Sequence, residues 1–149
     1  MKKFELTNDT KIVFGKKLFR IKALISFGNV EAGELGGYVE KEENLSHNDN
    51  AWIYGNAMVY GNAEVYGNAE VYDNAEVYDN DDYTCIKGFG IEYRNTTFYR
   101  QKDGSIGVKC GCFSGNLDEF RKQVKDTRTG KVAKEYLMIA DLMEYHFEK

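Results

Sequence analysis

A six-residue unit repeats along the middle of the chain, and its period constrains the fold more than any other feature. Residues 59–80 read VYGNAEVYGNAEVYDNAEVYDN, so each aliphatic residue is followed by Tyr one position later, and the first three are followed by Ala four positions later. A period of six matches neither the 3.6-residue period of a helix nor the two-residue period of a strand. The sequence therefore predicts a solenoid in which each unit supplies one short strand and one bend.

The letters of the unit divide into corner positions and inward positions. Gly-Asn and Asp-Asn pairs suit tight corners, because Gly and Asn tolerate a positive φ and Asp and Asn bond their own backbone. Val39 and Leu45 are predicted to continue the alanine register upstream at steps of six. The predicted inward side chains are Ile53, Val59, Val65, Val71 and Val77 at the aliphatic position and Ala51, Ala57, Ala63, Ala69 and Ala75 at the alanine position.

This pattern resembles the hexapeptide-repeat, left-handed β-helix family, in which three units make one triangular coil. The resemblance implies a short left-handed β-helix of about two to three coils. The segment RIKALISFGNVEAGELGGYVEKEENLS with NAWIYGNA is similar to the start of bacterial putative hexapeptide acyltransferases and of short phage and prophage proteins. GCFSGNLDEFRKQV with AKEYL resembles a segment that follows such repeats in phage proteins. A phage or prophage origin, and hence a bacterial cytoplasm, is what these resemblances imply.

The sequence predicts a mainly β chain in three segments. Residues 1–32 are predicted to form an N-terminal β-hairpin and a strand that leads into the repeats. Residues 33–82 are predicted to form the β-helix, and residues 83–149 an α+β cap of three strands and two helices. Both ends of a solenoid expose unpaired backbone groups, so we expect the flanking segments to cover them.

Local signals place one turn and one helix start. The N-terminal hairpin is predicted to turn at Gly15, Lys16 and Lys17. Asn116 and Glu119 have the spacing of a capping box, which predicts that the first helix begins after Asn116.

Composition and cysteine number limit the classes of function. The net charge of −4 argues against general nucleic-acid binding, which requires clustered Lys and Arg. No run approaches the roughly 18 apolar residues of a membrane span, so we expect a soluble protein. Cys85, Cys110 and Cys112 are too few for a disulfide framework or a four-ligand zinc site, and we expect buried, reduced thiols. We expect no metal and no other cofactor.

Two histidines, His47 and His146, are the candidate catalytic bases. The resemblance to acyltransferases implies that His47 would be the general base, which must lie in a walled cleft. His47 lies among polar residues in NLSHNDNAW, with no inserted loop to build such a cleft. We therefore expect no enzyme activity. An acyltransferase using His47 is the first alternative, and a protein that sequesters a small ligand or nucleotide between subunits is the second.

The interaction hypothesis rests on the side chains of the repeat that are predicted to point outward. In a three-sided coil, residues eighteen apart stack, which pairs Tyr54 with Tyr72 and Tyr60 with Tyr78. Tyrosine supplies rigid contact area and is enriched at interfaces. The acidic residues are predicted to form a belt near one end of the solenoid. This belt either keeps the surface solvated or mimics the phosphates of DNA. The predicted interaction surface is Tyr54, Tyr60, Tyr66, Tyr72, Tyr78, Glu64, Glu70, Glu76, Asp73, Asp79, Asp81 and Asp82.

The preferred function is therefore non-catalytic protein–protein interaction by a phage- or prophage-encoded protein. A host protein, such as a component of a defence system, is the expected partner. The flat sides of the solenoid are the expected site of self-association into a dimer or trimer.

Overall fold

The computed structural model describes residues 2–148 and is mainly β. The helices are α1 (Leu117–Thr127) and α2 (Gly130–His146), and two 3-10 turns cover Glu42–Asn44 and Asn80–Asp82. The strands are β1 (Phe4–Val13), β2 (Lys16–Ala23), β3 (Leu35–Val39), β4 (Trp52–Ile53), β5 (Met58–Val59), β6 (Glu70–Val71), β7 (Glu76–Val77), β8 (Tyr83–Phe89), β9 (Arg94–Arg100), β10 (Ile106–Cys110) and β11 (Phe113–Asn116). They form sheets in the orders β1-β2-β3-β5-β7, β11-β10-β9-β8 and β4-β6.

The repeats stack in three rows of parallel pairing. The first row is β3, β5 and β7, and the second row is β4 and β6. The third row is a single parallel bridge between Leu45 and Val65. In the first row Val59 lies opposite Val77, and Met58 opposite Glu76, at the predicted step of eighteen residues. Three six-residue units therefore separate neighbouring strands in the later repeats.

The first turn of the stack is two residues longer than the later turns. Val39 pairs with Val59 and Leu45 with Val65, each twenty residues on. The predicted alanine register for Val39 and Leu45 is therefore wrong, because both residues take the aliphatic register. The two extra residues lie in the connection of residues 46–51, before β4.

The interior of the stack is filled as the repeat predicts. All ten of the aliphatic and alanine side chains are at most 2% exposed. Burying one such Val or Ile side chain stabilises the fold by about 2 kcal/mol. Phe4 and Ile21 from the hairpin, and Tyr83 and Tyr99 from the C-terminal sheet, pack into the same core.

The hairpin extends the first row into one five-stranded sheet. Val13 pairs with Lys16 across a turn of Phe14 and Gly15, both of which have positive φ. The turn predicted at Gly15, Lys16 and Lys17 lies too late in the chain, because Lys16 already belongs to β2. Since β2 pairs antiparallel with β3, the hairpin lies beside the outer edge of the first turn.

The C-terminal segment contains four strands, where the sequence predicts three. The additional strand, β11, pairs antiparallel with β10, because the chain turns back at Gly111 and Cys112. The predicted capping box is confirmed: Asn116 accepts a hydrogen bond from the Glu119 amide, and the Glu119 carboxylate accepts one from the Asn116 amide. Neither helix within residues 2–148 is long and apolar enough to cross a membrane.

Strand β9 and the two residues that follow it cover the edge of the last repeats. The Glu70 amide donates to the Thr97 hydroxyl at 3.0 Å, and the Lys102 amide donates to the Asn74 carbonyl at 3.0 Å. The other side of the C-terminal sheet packs against α1 and α2 in a separate core. That core consists of Phe98, Val108, Leu117, Phe120, Val124, Tyr136, Ile139, Ala140, Met143 and Phe147.

Candidate interaction surface

His47, the candidate base, is held by contacts on both ring nitrogens. Its ring stacks on Phe4 with centroids 4.1 Å apart. Nδ1 accepts a hydrogen bond from the Lys3 amide at 3.1 Å, and Nε2 lies 3.3 Å from Oε1 of Glu42. A neutral imidazole that accepts at Nδ1 carries its proton on Nε2. In this arrangement neither nitrogen offers a free lone pair to a substrate. His146 is exposed on the last turn of α2.

The predicted tyrosine pairs are confirmed, but one member is not on the surface. The ring centroids of Tyr54 and Tyr72 are 4.9 Å apart, and those of Tyr60 and Tyr78 are 5.1 Å apart. Tyr60 is only 5% exposed, and its hydroxyl donates to Glu76 Oε1 at 2.6 Å. Tyr60 points away from the interior of the stack as predicted, into a cluster with Leu18 and Met58, but its predicted accessibility is wrong. Tyr60 instead contributes to packing against the hairpin.

Asp82 is likewise a structural residue and not part of an exposed acidic belt. It is buried, and Nε of Arg100 donates to its Oδ1 at 2.8 Å. The amides of Tyr78 and Asp79 donate to Oδ2 at 3.0 Å each. Burial alone raises the pKa of the Asp82 carboxyl, but these hydrogen bonds outweigh burial and hold that pKa below its usual range.

The other predicted surface residues differ in exposure. Lys109 covers part of the second row, with Nζ 5.1 Å from the Tyr72 ring centroid. Burial raises the pKa of the nearby Glu70 carboxyl, with Lys109 opposing that shift. The half-buried residues are Tyr54, Tyr72, Glu70 and Glu76. The exposed residues are Glu64, Tyr66, Asp73, Tyr78, Asp79 and Asp81.

Beside the third row lies a groove made of two adjoining concavities that share Glu64. The first has a volume of about 720 Å³ and is lined by Glu42, Glu43 and His47, among other residues. The second has a volume of about 440 Å³ and is lined by residues that include Tyr66 and Thr84. We define the acidic groove by six residues. They are Glu42, Glu43, His47, Glu64, Tyr66 and Thr84.

Hydrogen bonds stack the corner segments that border this groove. Asn44 is fully buried, and its Nδ2 donates to the Ala63 carbonyl at 2.8 Å. The Glu64 amide donates to Oδ1 of Asn80 at 2.9 Å. Residues 40–44, 60–64 and 78–82 therefore lie on one another, and each segment brings at least one acid to the corner.

The acids of the corner are incompletely neutralised. Lys2 Nζ lies 3.1 Å from Glu42 Oε1. Within residues 2–148, Glu43, Glu64 and Asp79 make no salt bridge. The six-residue pattern does not predict Glu42 and Glu43 at this corner, because the two extra residues of the first turn change which residues they lie against. The signal was the distance of eight residues from Leu45 to the next aliphatic position.

The three thiols are free and differ in exposure. Cys85 Sγ lies 3.4 Å from the Thr97 hydroxyl, and Cys110 Sγ accepts a hydrogen bond from Thr96 at 3.1 Å. Both are half-buried, whereas Cys112 is exposed, so its predicted burial is wrong. Residues 2–148 contain no group of three or more His, Cys, Asp or Glu side chains placed to hold a metal ion.

The fold and the groove define a mainly β repeat protein, with a short parallel stack between the N-terminal hairpin and the four-stranded C-terminal sheet. No protein-family model matches the chain, and no curated protein matches it.

Proposed function

We propose that the chain is a non-catalytic protein-interaction module that binds a basic surface of a protein partner through the acidic groove. The observation that carries this proposal is the exposed Tyr66 side chain, 61% accessible, beside the carboxylate of Glu64, which makes no salt bridge within residues 2–148. Tyrosine at the centre of an interface supplies rigid contact area and a hydrogen-bonding tip. Clustered carboxylates steer a cationic partner to the groove and fix its orientation.

We also propose that the parallel stack is a short left-handed β-helix. The parallel pairing and the step of eighteen residues support three units per coil. The handedness rests on the resemblance of the repeat to the hexapeptide family.

The proposed partner is a host protein in a bacterial cytoplasm, and the proposed kind of host protein is a component of a defence system. This step rests on the resemblance to phage and prophage proteins. The contacts of His47 support a non-catalytic function, since Nδ1 accepts the Lys3 amide and Nε2 faces Glu42. A general base needs a free lone pair within reach of the substrate proton.

The test is capture of partners from bacterial lysate by the purified chain and by two charge-matched variants. Glu43→Lys with Glu64→Lys reverses two charges in the groove. Asp118→Lys with Asp126→Lys reverses two exposed charges on α1 and is the control. We expect the groove variant to lose a partner that the control variant retains, with at least tenfold weaker binding of the purified pair.

Tyr66→Ala, which changes no charge, should weaken the same pair. Equal capture by the groove variant and by the unmodified chain would refute the proposal. The mass of the purified chain in solution tests the predicted dimer or trimer in the same preparation.

A further inference from the structure

A second concave site lies in the C-terminal segment, between the turn of β10 and β11 and the two helices. Its volume is about 170 Å³. Its lining includes the apolar side chains of Phe113, Phe120 and Val124. The lining also includes two basic residues, Arg94 and Arg128, together with polar side chains. A small cavity lined by both apolar and cationic side chains is therefore present in a chain whose net charge is −4.

The backbone places Arg94 closely against the β10–β11 turn. Gly111 has a φ of +57°, and a Cβ at this position would overlap the Arg94 guanidinium. A side chain at Gly111 would thus displace Arg94 from the cavity wall. Glu92 pairs with Nη2 of Arg94. The pairing is exposed to solvent and contributes little to stability.

Arg128 and Tyr136 also line the cavity. Arg128 follows the last residue of α1 and makes no salt bridge with any residue in 2–148. Tyr136 is buried, and its hydroxyl packs against the backbone of Gly90. Burial raises the pKa of Tyr136, so the hydroxyl is a neutral donor at neutral pH. A smaller adjoining cavity of about 80 Å³ is also lined by Arg94, Arg128 and Tyr136.

We propose that this cavity binds a small organic anion. Its carboxylate or phosphate lies between Arg94 and Arg128, and its apolar body lies on Phe113, Phe120 and Val124. Guanidinium groups match the planar geometry of these anions and bind them with charge-assisted hydrogen bonds. An apolar cavity of about 150 Å³ holds a benzene ring, so the volume suits a single ring with one anionic group. The site is separate from the acidic groove and does not depend on it.

The test uses benzoate and phenyl phosphate as probes of the full chain, with benzamide as the neutral control of the same shape. We expect saturable one-to-one binding of at least one anion, and the tighter of the two shows which anionic group the site prefers. Arg94→Gln and Arg128→Gln should each weaken that binding at least tenfold. Arg121→Gln is the matched control, because Arg121 lies on α1 and pairs with Asp141 and Glu144.

If an arginine variant fails to fold, NMR of the unmodified chain tests where the anion binds. On addition of the tighter anion, the largest amide shifts should fall at Gly90, Gly111 and Arg128. Three results would overturn the proposal: no saturable binding of either anion, equal binding of benzamide, or shifts that centre elsewhere in the chain.

Discussion

Lys3 shows how one side chain ends the repeat stack on its N-terminal side. In later turns the alanine carbonyl accepts the amide of the preceding turn, as Ala69 accepts from Trp52 at 3.1 Å. Ala51 stands first in its row and has no preceding strand. Lys3 takes that place: its Nζ is buried and donates to the Ala51 carbonyl at 2.7 Å and to the Asp49 carbonyl at 2.9 Å. The buried ammonium of Lys3 thus donates the hydrogen bond that the amide of a preceding strand would supply.

This arrangement predicts a rise in stability with pH. Burial lowers the pKa of Lys3 to about 8, although Asp49 opposes that shift. The unfolded chain, with an ordinary lysine pKa of about 10.4, binds more protons than the folded chain above pH 8. The free energy of unfolding should therefore rise between pH 8 and 10, as measured by urea denaturation. Lys3→Met should lose this rise and, with two carbonyls unpaired, be less stable by about 1 to 3 kcal/mol at pH 7.

The control is Lys2→Met, which removes a neighbouring but exposed ammonium. We expect its dependence of stability on pH above 8 to match that of the unmodified chain. An unchanged slope in Lys3→Met would show that Lys3 is not the titrating group.

At the scale of elements, the β1–β2 hairpin contains an unfavourable residue in its turn. Phe14 has a φ of +49° and is 83% exposed, and Gly15 follows with a φ of +77°. Turns with two positive φ values favour Asn-Gly, because Asn tolerates the left-handed region. Phe14→Asn should raise the free energy of unfolding by about 0.5 to 1 kcal/mol, measured by urea denaturation. Phe14→Val should lower it, because a β-branched residue fits this region poorly. A lower stability for Phe14→Asn would contradict the prediction.

Short sequence patterns and the six-residue period predicted the structural features that depend on residues close in sequence or at a fixed spacing. The capping box at Asn116 and the stacking at eighteen residues both follow from short sequence patterns. The exposure of single side chains did not follow, because distant segments decide it. Tyr60 is buried against Leu18, which is contributed by the hairpin, and Asp82 is buried by Arg100 from β9. Neither partner has a fixed spacing from the residue it covers.

At the scale of the whole molecule, the two flanking segments leave the repeat stack without free ends. The N-terminal side has Lys3 and the hairpin, and the C-terminal side has β9. Tyr83 from β8 also packs into the core of the stack and donates its hydroxyl to the Glu64 carbonyl at 2.6 Å. Self-association through the stack itself must therefore use its sides and not its ends. The acidic groove lies on one of those sides.

Removal of residues 83–149 should convert the C-terminal end of the stack into a site of association. The truncated chain would expose the amide of Glu70 and the carbonyl of Asn74, and an unpaired strand edge pairs readily with another chain. We expect oligomers or aggregates of increasing mass by light scattering. Thr97→Val in the full chain is the control: it removes the hydroxyl that accepts the Glu70 amide and also contacts Cys85 Sγ, but it keeps β9. It should therefore lower stability by about 1 kcal/mol without changing the mass. A truncated chain that stays monomeric and unfolds cooperatively would mean that β9 is not needed to cover the stack.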